Sequence, residues 1–257
     1  MEIKKYPQVG ETLYKEVIDN GLLVYYLPKP EFNKTYGLFT TNFGSLDTRF
    51  VPRGGSDMQT FPEGIAHFLE HKLFEKKDGD AMNFFGALGA NSNAFTSFTR
   101  TSYLFSTMEN VEPNVELLLD FVQEPYFTQA SVEKEQGIIT QEIQMYQDDA
   151  DFRLFFGLLQ NLYPESPLAA DIAGTPKSIR RISAEDLYEN YRTFYHPGNM
   201  TLFLTGPFEV SEMSDLVAKN QAEKRFEPIV PIQRAPFVAA APIPTNNLAF
   251  DVTIPKL

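Results

Sequence analysis

The segment His67-Phe68-Leu69-Glu70-His71 places two imidazoles and a carboxylate within about one turn of a predicted helix. Side chains at positions i and i+4 lie on the same helix face, so both imidazoles can bind one zinc ion. The carboxylate at i+3 points into the same space, where it can act as a general base. The whole chain has three histidines, and two of them fall in this segment. The pattern predicts a zinc centre rather than two solvated histidines on an ordinary amphipathic helix.

A second predicted helix, around Ile138, supplies candidates for a third zinc ligand. A catalytic zinc ion usually takes three protein ligands, and a chain without cysteine must provide either a carboxylate or His196. Glu135 and Glu142 fall on the apolar face of this helix. That face is formed by Val132, Ile138, Ile139, Ile143 and Tyr146. A carboxylate buried there needs a partner, which is either a metal ion or a lysine or arginine.

The two carboxylates lie at different heights along the helix axis. Glu135 and Glu142 are seven residues apart, about 10 Å along a helix axis. We therefore expect one of them to bind the zinc ion and the other to be a partner outside the ligand set. Spacing alone does not decide which of the two is the ligand.

The composition is that of a globular protein, with 43% hydrophobic and 22% charged residues among 257. The net charge of −12 argues against a nucleic-acid partner, because phosphates repel an acidic surface. No apolar run reaches about 18 residues, so no membrane span is expected. The first residues lack the apolar stretch of a signal peptide. Together with the absence of cysteine, these features predict a cytoplasmic protein.

Strand and helix patterns follow one another without strict alternation, which predicts an α+β fold rather than a doubly wound sheet. Residues 13–18 and 22–27 flank the turn Asp19-Asn20-Gly21, which is a strong hairpin signal. Further strands are predicted at 36–43, 92–106 (a strand pair) and 200–204. Helices are predicted at 63–75, 80–88, 111–123, 129–147, 152–162, 184–194 and 211–221. We expect a mixed, largely antiparallel sheet with the helices packed on one face.

The inverted His-x-x-Glu-His helix, followed about seventy residues later by Glu-x6-Glu, resembles the inverzincin peptidases. That family includes pitrilysin, insulin-degrading enzyme and the mitochondrial processing peptidase. Three further segments support the likeness: Gly-Ala-Asn-Ser-Asn-Ala-Phe-Thr at 89–96, Ala-Gly-Thr at 173–175 and Tyr-His-Pro-Gly-Asn-Met at 195–200. The resemblance covers about residues 15–210 and is greatest to small bacterial processing proteases, which implies a bacterial protein.

The resemblance implies a role for each candidate residue. It makes His67, His71 and Glu142 the zinc ligands. Glu70 becomes the general base that takes a proton from a zinc-activated water, and Glu135 the supporting acidic residue. The substrate backbone is implied to lie along an edge strand formed by Asn93, Ala94, Phe95 and Thr96.

These features predict a zinc-dependent endopeptidase that hydrolyses peptides or unfolded protein segments. The resemblance implies one lobe of a two-lobe clamshell, completed by a second lobe or a partner subunit in a homodimer or a heterodimer. The first alternative is a non-catalytic peptide-binding or assembly subunit, against which the intact zinc-site residues argue. The second is a zinc hydrolase for small molecules, against which the strand pair at 92–106 argues because it suits an extended peptide.

The domain organisation changes after Phe226, where prolines become frequent. Proline residues interrupt any regular helix there; they are Pro228, Pro231, Pro236, Pro242 and Pro244. We therefore predict that residues 1–225 form the zinc-binding lobe. Residues 226–257 are predicted to be a proline-rich linker and the start of a second lobe, with a strand at 248–254.

Overall fold

The computed structural model describes residues 1–236, which contain eleven strands and eight α-helices. The strands are β1 (Glu2–Tyr6), β2 (Glu11–Val17), β3 (Leu23–Pro28), β4 (Thr35–Thr41), β5 (Arg49–Phe50), β6 (Gln59–Thr60), β7 (Glu75–Lys76), β8 (Gly79–Asp80), β9 (Asn91–Thr96), β10 (Thr101–Thr107) and β11 (Met200–Gly206). The helices are α1 (Ile65–Phe74), α2 (Ala81–Ala87), α3 (Val111–Gln123), α4 (Gln129–Gln147), α5 (Ala150–Leu162), α6 (Pro176–Ile179), α7 (Ala184–Phe194) and α8 (Val210–Ala222). Within this part of the chain, no helix has both the length and the apolar character needed to cross a membrane.

Seven strands of the described part form one mixed sheet in the order β1-β2-β3-β11-β4-β10-β9. β11 lies parallel to β3, and the other neighbouring pairs are antiparallel. Buried residues alternate along β4 and β11, as expected for a sheet that helices cover on one face. The predicted α+β fold, with a largely antiparallel sheet and helices on one face, is confirmed.

The hydrophobic core lies between the sheet and the helices. Phe39 and Leu202 from the sheet and Phe68 and Leu119 from the helices are completely buried in it. Each such side chain stabilises the fold by about 1.5–3 kcal/mol relative to an exposed position. The helix α1 lies in the middle of this core, where it contacts β9, β10, α3, α4 and α7. Side chains on α1 are therefore held from several sides at once.

The elements predicted within residues 1–236 are present, but the sequence missed the strand β1, the short strands β5 to β8 and the short helix α6. The hairpin at residues 13–27 forms as β2 and β3, which pair antiparallel around the predicted turn. The helices predicted at 111–123, 129–147 and 184–194 have those bounds in the structure. The longest missed strand is β1, whose segment Glu-Ile-Lys-Lys-Tyr is exposed along nearly its whole length and lacks apolar alternation. Charged residues of this kind are typical of edge strands, because they discourage pairing with other chains.

The buried face of α4 contains fewer residues than the apolar face predicted from the sequence. Val132, Ile139 and Ile143 are buried, but Ile138 is 45% exposed and Tyr146 is 41% exposed. The prediction that these last two belong to the buried face is wrong, because α4 packs against its neighbours along a single line of residues. Positions three and four apart share that line, and the carboxylates at 135 and 142 lie on it.

The proline-rich segment after α8 packs against the lobe as far as the structure describes it. Backbone hydrogen bonds join Val51 N–H to the Gln233 carbonyl (2.9 Å) and Ala235 N–H to the Arg49 carbonyl (2.9 Å). The Arg234 guanidinium donates to Asp47 at 2.6 Å. Residues 233–235 thus run along β5. The strand predicted at 248–254 lies outside the described residues, and the predicted domain boundary stays a prediction.

The side chain of His196, which belongs to the lobe, binds the same proline-rich segment. Its side chain is buried, with Nε2–H donating to the Glu227 carbonyl at 2.7 Å and Nδ1 accepting from Gly198 N–H at 3.0 Å. Burial lowers the pKa of His196 below its usual 6.5, and the charge of Arg53 acts in the same direction. The folded chain therefore keeps this imidazole neutral, because protonation of Nδ1 would break the hydrogen bond from Gly198.

We expect His196 to make the folded chain less stable in mild acid. As the pH falls below about 6.5, the unfolded chain takes up this proton before the folded chain does, so the His196 contribution is present above that pH and is lost below it. Thermal unfolding between pH 7.5 and 5 should show a steeper fall in Tm for the parent chain than for His196→Gln, which cannot titrate. Parallel Tm curves would contradict this role.

Candidate metal centre

The helix α1 begins against the Ala173-Gly174-Thr175 turn. Gly64 precedes the helix with a φ of 88°, in the left-handed region that favours glycine. A Cβ atom on Gly64 would lie 2.4 Å from the Ala173 carbonyl oxygen, and one on Gly174 would lie 2.5 Å from the Glu63 carbonyl oxygen. The two backbones are in direct contact, which fixes the start of the helix that carries both histidines.

The structure brings His67, His71 and Glu142 together. One potential ligand atom from each residue lies within 4.8 Å of the others. His67 Nε2 is 3.7 Å from Glu142 Oε1, and His71 Nε2 is 3.5 Å from Glu142 Oε2. Only 13% of the His67 side chain and 27% of the His71 side chain are exposed, so these are not solvated histidines on a helix surface.

Glu135 lies on the other side of the His71 ring. Its Oε1 is 3.0 Å from His71 Nδ1. A proton on Nδ1 that is donated to this carboxylate leaves the Nε2 lone pair free to bind a metal ion. Of the two carboxylates that spacing alone could not rank, Glu142 faces both Nε2 atoms, whereas Glu135 orients one ring from behind.

Burial and neighbouring charges shift the pKa values of the two histidines in opposite directions. Burial lowers the pKa of His67 to about 3, with a smaller contribution from the charge of His71. Burial also acts to lower the pKa of His71. The Glu135 hydrogen bond and the charges of Glu70 and Glu142 outweigh it, so that the pKa is raised overall. The negative potential that favours a proton on His71 also favours a divalent cation beside it.

Glu70 lies beside the histidines with 8% of its surface exposed. Burial raises the pKa of this carboxyl, against the hydrogen bond from Thr96 and the charge of His71, which lower it. A carboxylate with a raised pKa is suited to accept a proton near neutral pH. Thr96 Oγ1 donates to Glu70 Oε2 at 2.5 Å.

The predicted substrate strand is part of β9, which is the last strand of the sheet among residues 1–236. Its side chains alternate between exposed and half-buried. Asn93 and Phe95 point to the exposed side, and Ala94 and Thr96 to the half-buried side. An edge strand has backbone groups free to pair with an extended peptide, and this one ends beside Glu70.

The donor set fits zinc. Two imidazole nitrogens and a carboxylate are ligands that zinc accepts in catalytic sites. Three carboxylates also lie close to the two mainly buried imidazoles, namely those of Glu70, Glu135 and Glu142. A divalent cation offsets this excess of negative charge. His196, the alternative ligand considered from the sequence, has both ring nitrogens engaged elsewhere.

Asp171 is a residue near the centre that sequence reasoning missed. Burial raises the pKa of its carboxyl, and the charge of Glu142 adds to this effect. The carboxylate accepts a hydrogen bond from Ala173 N–H at 2.9 Å, so it also supports the turn against which α1 begins. Its position two residues before that Ala-Gly-Thr turn is the signal that could have identified it.

Family models match most of the chain. Residues 53–176 match the model described as Insulinase (Peptidase family M16), and residues 181–253 match the model described as Peptidase M16 inactive domain. The chain belongs to peptidase family M16. The recognition of this family from the sequence is confirmed, and so is zinc as the cofactor, because M16 relatives are named zinc proteases.

Several similar proteins are longer than this chain, which covers only part of each of them. Uncharacterized zinc protease YmfH of Bacillus subtilis is 58% identical over 222 residues, which is 86% of this chain and 52% of the relative. A crystal structure described as an M16-like peptidase from Alicyclobacillus acidocaldarius has a TM-score of 0.85 and 41% identity, covering 90% of this chain and 54% of that one. Cytochrome b-c1 complex subunit 1 of Mus musculus is 30% identical over 61% of this chain and 34% of its own length. The chain spans about half the length of the first two proteins.

Proposed function

We propose that this M16 chain is the zinc-carrying lobe of a two-lobe endopeptidase that hydrolyses peptides or unfolded protein segments. One observation carries the proposal: ligand atoms of His67, His71 and Glu142 lie within 4.8 Å of one another, next to the buried carboxylate of Glu70 and the end of an edge strand. The partner that completes the enzyme is a second lobe, in the same polypeptide or in another subunit.

The proposed zinc ligands are Nε2 of His67, Nε2 of His71 and the carboxylate of Glu142, and Glu135 holds the His71 ring in place. Bound there, zinc would lower the pKa of a water molecule toward neutrality and polarise the scissile carbonyl group. The location of this chain in a bacterial cytoplasm stays a prediction from the sequence.

Glu70 moves the proton in this mechanism. Its carboxylate accepts a proton from the attacking water while the water oxygen bonds to the carbonyl carbon of the peptide. The same carboxyl then donates that proton to the leaving amine nitrogen as the carbon–nitrogen bond breaks. Glu70 ends the cycle as a carboxylate, so the proton balance closes.

The substrate is proposed to add to β9 as a further strand along Asn93, Ala94, Phe95 and Thr96. Backbone pairing accepts varied sequences, while pockets for alternate side chains set preference. Because β9 ends at Thr96, whose hydroxyl contacts Glu70, a peptide paired with this strand is brought to the base. A strand at the edge of the described sheet suits an extended peptide, which favours endopeptidase activity over hydrolysis of a small molecule.

A non-catalytic peptide-binding or assembly subunit is the second candidate. Two observations favour it: the match of residues 181–253 to a model described as an inactive domain, and the likeness to a subunit of the cytochrome b-c1 complex. The retention of both histidines and of Glu70, Glu135 and Glu142 favours catalysis, because a subunit without activity has no need for that set.

Product analysis of peptide digests tests the proposal. We expect the chain, completed by its second lobe, to cut unstructured peptides at internal bonds, to stop when a chelator removes zinc, and to resume when zinc is added. Mass spectrometry of the products identifies the bonds. Peptide binding without cleavage would favour the non-catalytic subunit, and hydrolysis confined to small esters or amides would favour a small-molecule hydrolase.

A further inference from the structure

The side chain of Thr96 contacts the proposed base from the edge strand. Thr96 Oγ1 donates to Glu70 Oε2 at 2.5 Å, a short distance that is typical of hydrogen bonds to an ionised carboxylate. Thr96 is the last residue of β9, and it pairs in register with Thr101, the first residue of β10. The two hydroxyl oxygens are 3.3 Å apart. One oxygen of the Glu70 carboxylate is therefore held by the sheet.

Buried hydroxyl groups lie directly behind Thr96. Thr101 is completely buried and donates to the Phe43 carbonyl at 2.9 Å. Tyr195 interacts with the Thr101 hydroxyl, and its own hydroxyl is 2.8 Å from that of Tyr103. A hydroxyl group carries one proton. Because the Thr101 proton goes to the Phe43 carbonyl, the Thr96 proton is donated to Glu70.

We propose that Thr96 is a positioning residue for the general base, and that its hydroxyl holds Glu70 Oε2 so that Oε1 is the oxygen that accepts and returns the proton. This inference rests on the proposed function, in which Glu70 is the base. With a donor fixed on Oε2, the two carboxylate oxygens are no longer equivalent, and the carboxylate plane cannot rotate freely. The base is then oriented before the substrate arrives, which is how positioned groups lower a barrier.

Thr96 also connects this orientation to substrate binding. Its backbone belongs to the edge strand that is proposed to pair with the peptide, whereas its side chain contacts the base. A paired peptide restrains β9 and thereby restrains the donor to Glu70. Because the two roles use different atoms, replacing the side chain should change the chemical step and leave backbone pairing intact.

Kinetics of the zinc-loaded protein, completed by its second lobe, can separate these roles. Thr96→Val keeps the side-chain shape and removes the donor. We expect kcat to fall about 10- to 100-fold, the loss expected from deleting a hydrogen bond to a charged group, with KM within about twofold of the parent. Thr96→Ser should recover most of the lost kcat. The matched control is Thr205→Val, which deletes a threonine hydrogen bond to the Leu27 carbonyl in the same sheet and should leave kcat unchanged.

A crystal structure of the zinc-loaded Thr96→Val chain provides a readout that does not depend on activity. We expect the Glu70 carboxylate to rotate away from its parent position, and to return to it in Thr96→Ser. A parent-like carboxylate in Thr96→Val, or a raised KM with unchanged kcat, would overturn the inference even if the parent enzyme cleaves peptides. An inactive parent would instead contradict the proposed function, and the position of the carboxylate would still decide the role of Thr96.

Discussion

The 257-residue chain on its own is expected to bind zinc but to cleave peptides at least about 100-fold more slowly than the same chain completed by a second lobe. Cleavage of a peptide bond places negative charge on the carbonyl oxygen, and loss of a single donor to that oxygen typically costs about 10²–10³ in rate. The side chains of Glu70, Glu135 and Glu142 at the centre are carboxylates, which repel this charge. The chain also spans only about half the length of its M16 relatives. We therefore expect the second lobe to supply the donors and to exclude water.

The comparison requires the chain alone, the chain mixed with its second lobe, and a single longer polypeptide that carries both. Initial rates on one unstructured peptide give the ratio, and sedimentation reports whether the short chain pairs with itself. Zinc content measured on each sample separates an inactive centre from an empty one. A monomeric short chain that cleaves as fast as the completed protein would contradict the two-lobe account.

Glu70→Gln is expected to abolish turnover while zinc remains bound. Glutamine preserves the size of the side chain but cannot accept the proton of the attacking water, and general base catalysis contributes about 10²–10⁴ in rate. Glu70 is not among the three residues whose ligand atoms converge, so the metal content should stay at that of the parent. Steady-state kcat of the completed protein, together with elemental analysis, measures both quantities.

Glu133→Gln is the matched control for this substitution. Glu133 lies on α4, two residues before Glu135, but its side chain is exposed and accepts a hydrogen bond from Gln129. The same chemical change at that position should leave both kcat and zinc content unchanged. A Glu70→Gln protein that keeps the parent kcat would mean that another group takes the proton.

Local patterns in the sequence predicted most of the fold and the candidate site. The i, i+3, i+4 spacing on α1 and the seven-residue spacing on α4 place side chains on known helix faces, because a helix has fixed geometry. The Asn20-Gly21 turn predicted the β2–β3 hairpin for a similar reason, since glycine tolerates the positive φ of 91° that the turn adopts. In each case the controlling interactions are between near neighbours in the sequence.

Features that depend on distant segments could not be predicted in this way. The Thr96–Glu70 hydrogen bond joins residues 26 positions apart, and it forms because β9 packs against α1. The resemblance implied Glu142 as the ligand, but the distances of Glu135 and Glu142 from the imidazole nitrogens, which support that proposal, do not follow from spacing along α4. Burial of His196 beneath residues 226–236 likewise depends on contacts 31 positions away.

Zinc competition titrations of the parent chain, Glu142→Gln and Glu135→Gln test the central claim most directly, because each substitution removes one carboxylate from a different side of His71. Loss of a partner outside the ligand set typically weakens metal binding about 10- to 100-fold. We predict a loss of that size for Glu135→Gln and a larger one for Glu142→Gln. Zinc affinity that is unchanged in Glu142→Gln, or weakened more by Glu135→Gln, would contradict the assignment of His67, His71 and Glu142 as the ligands.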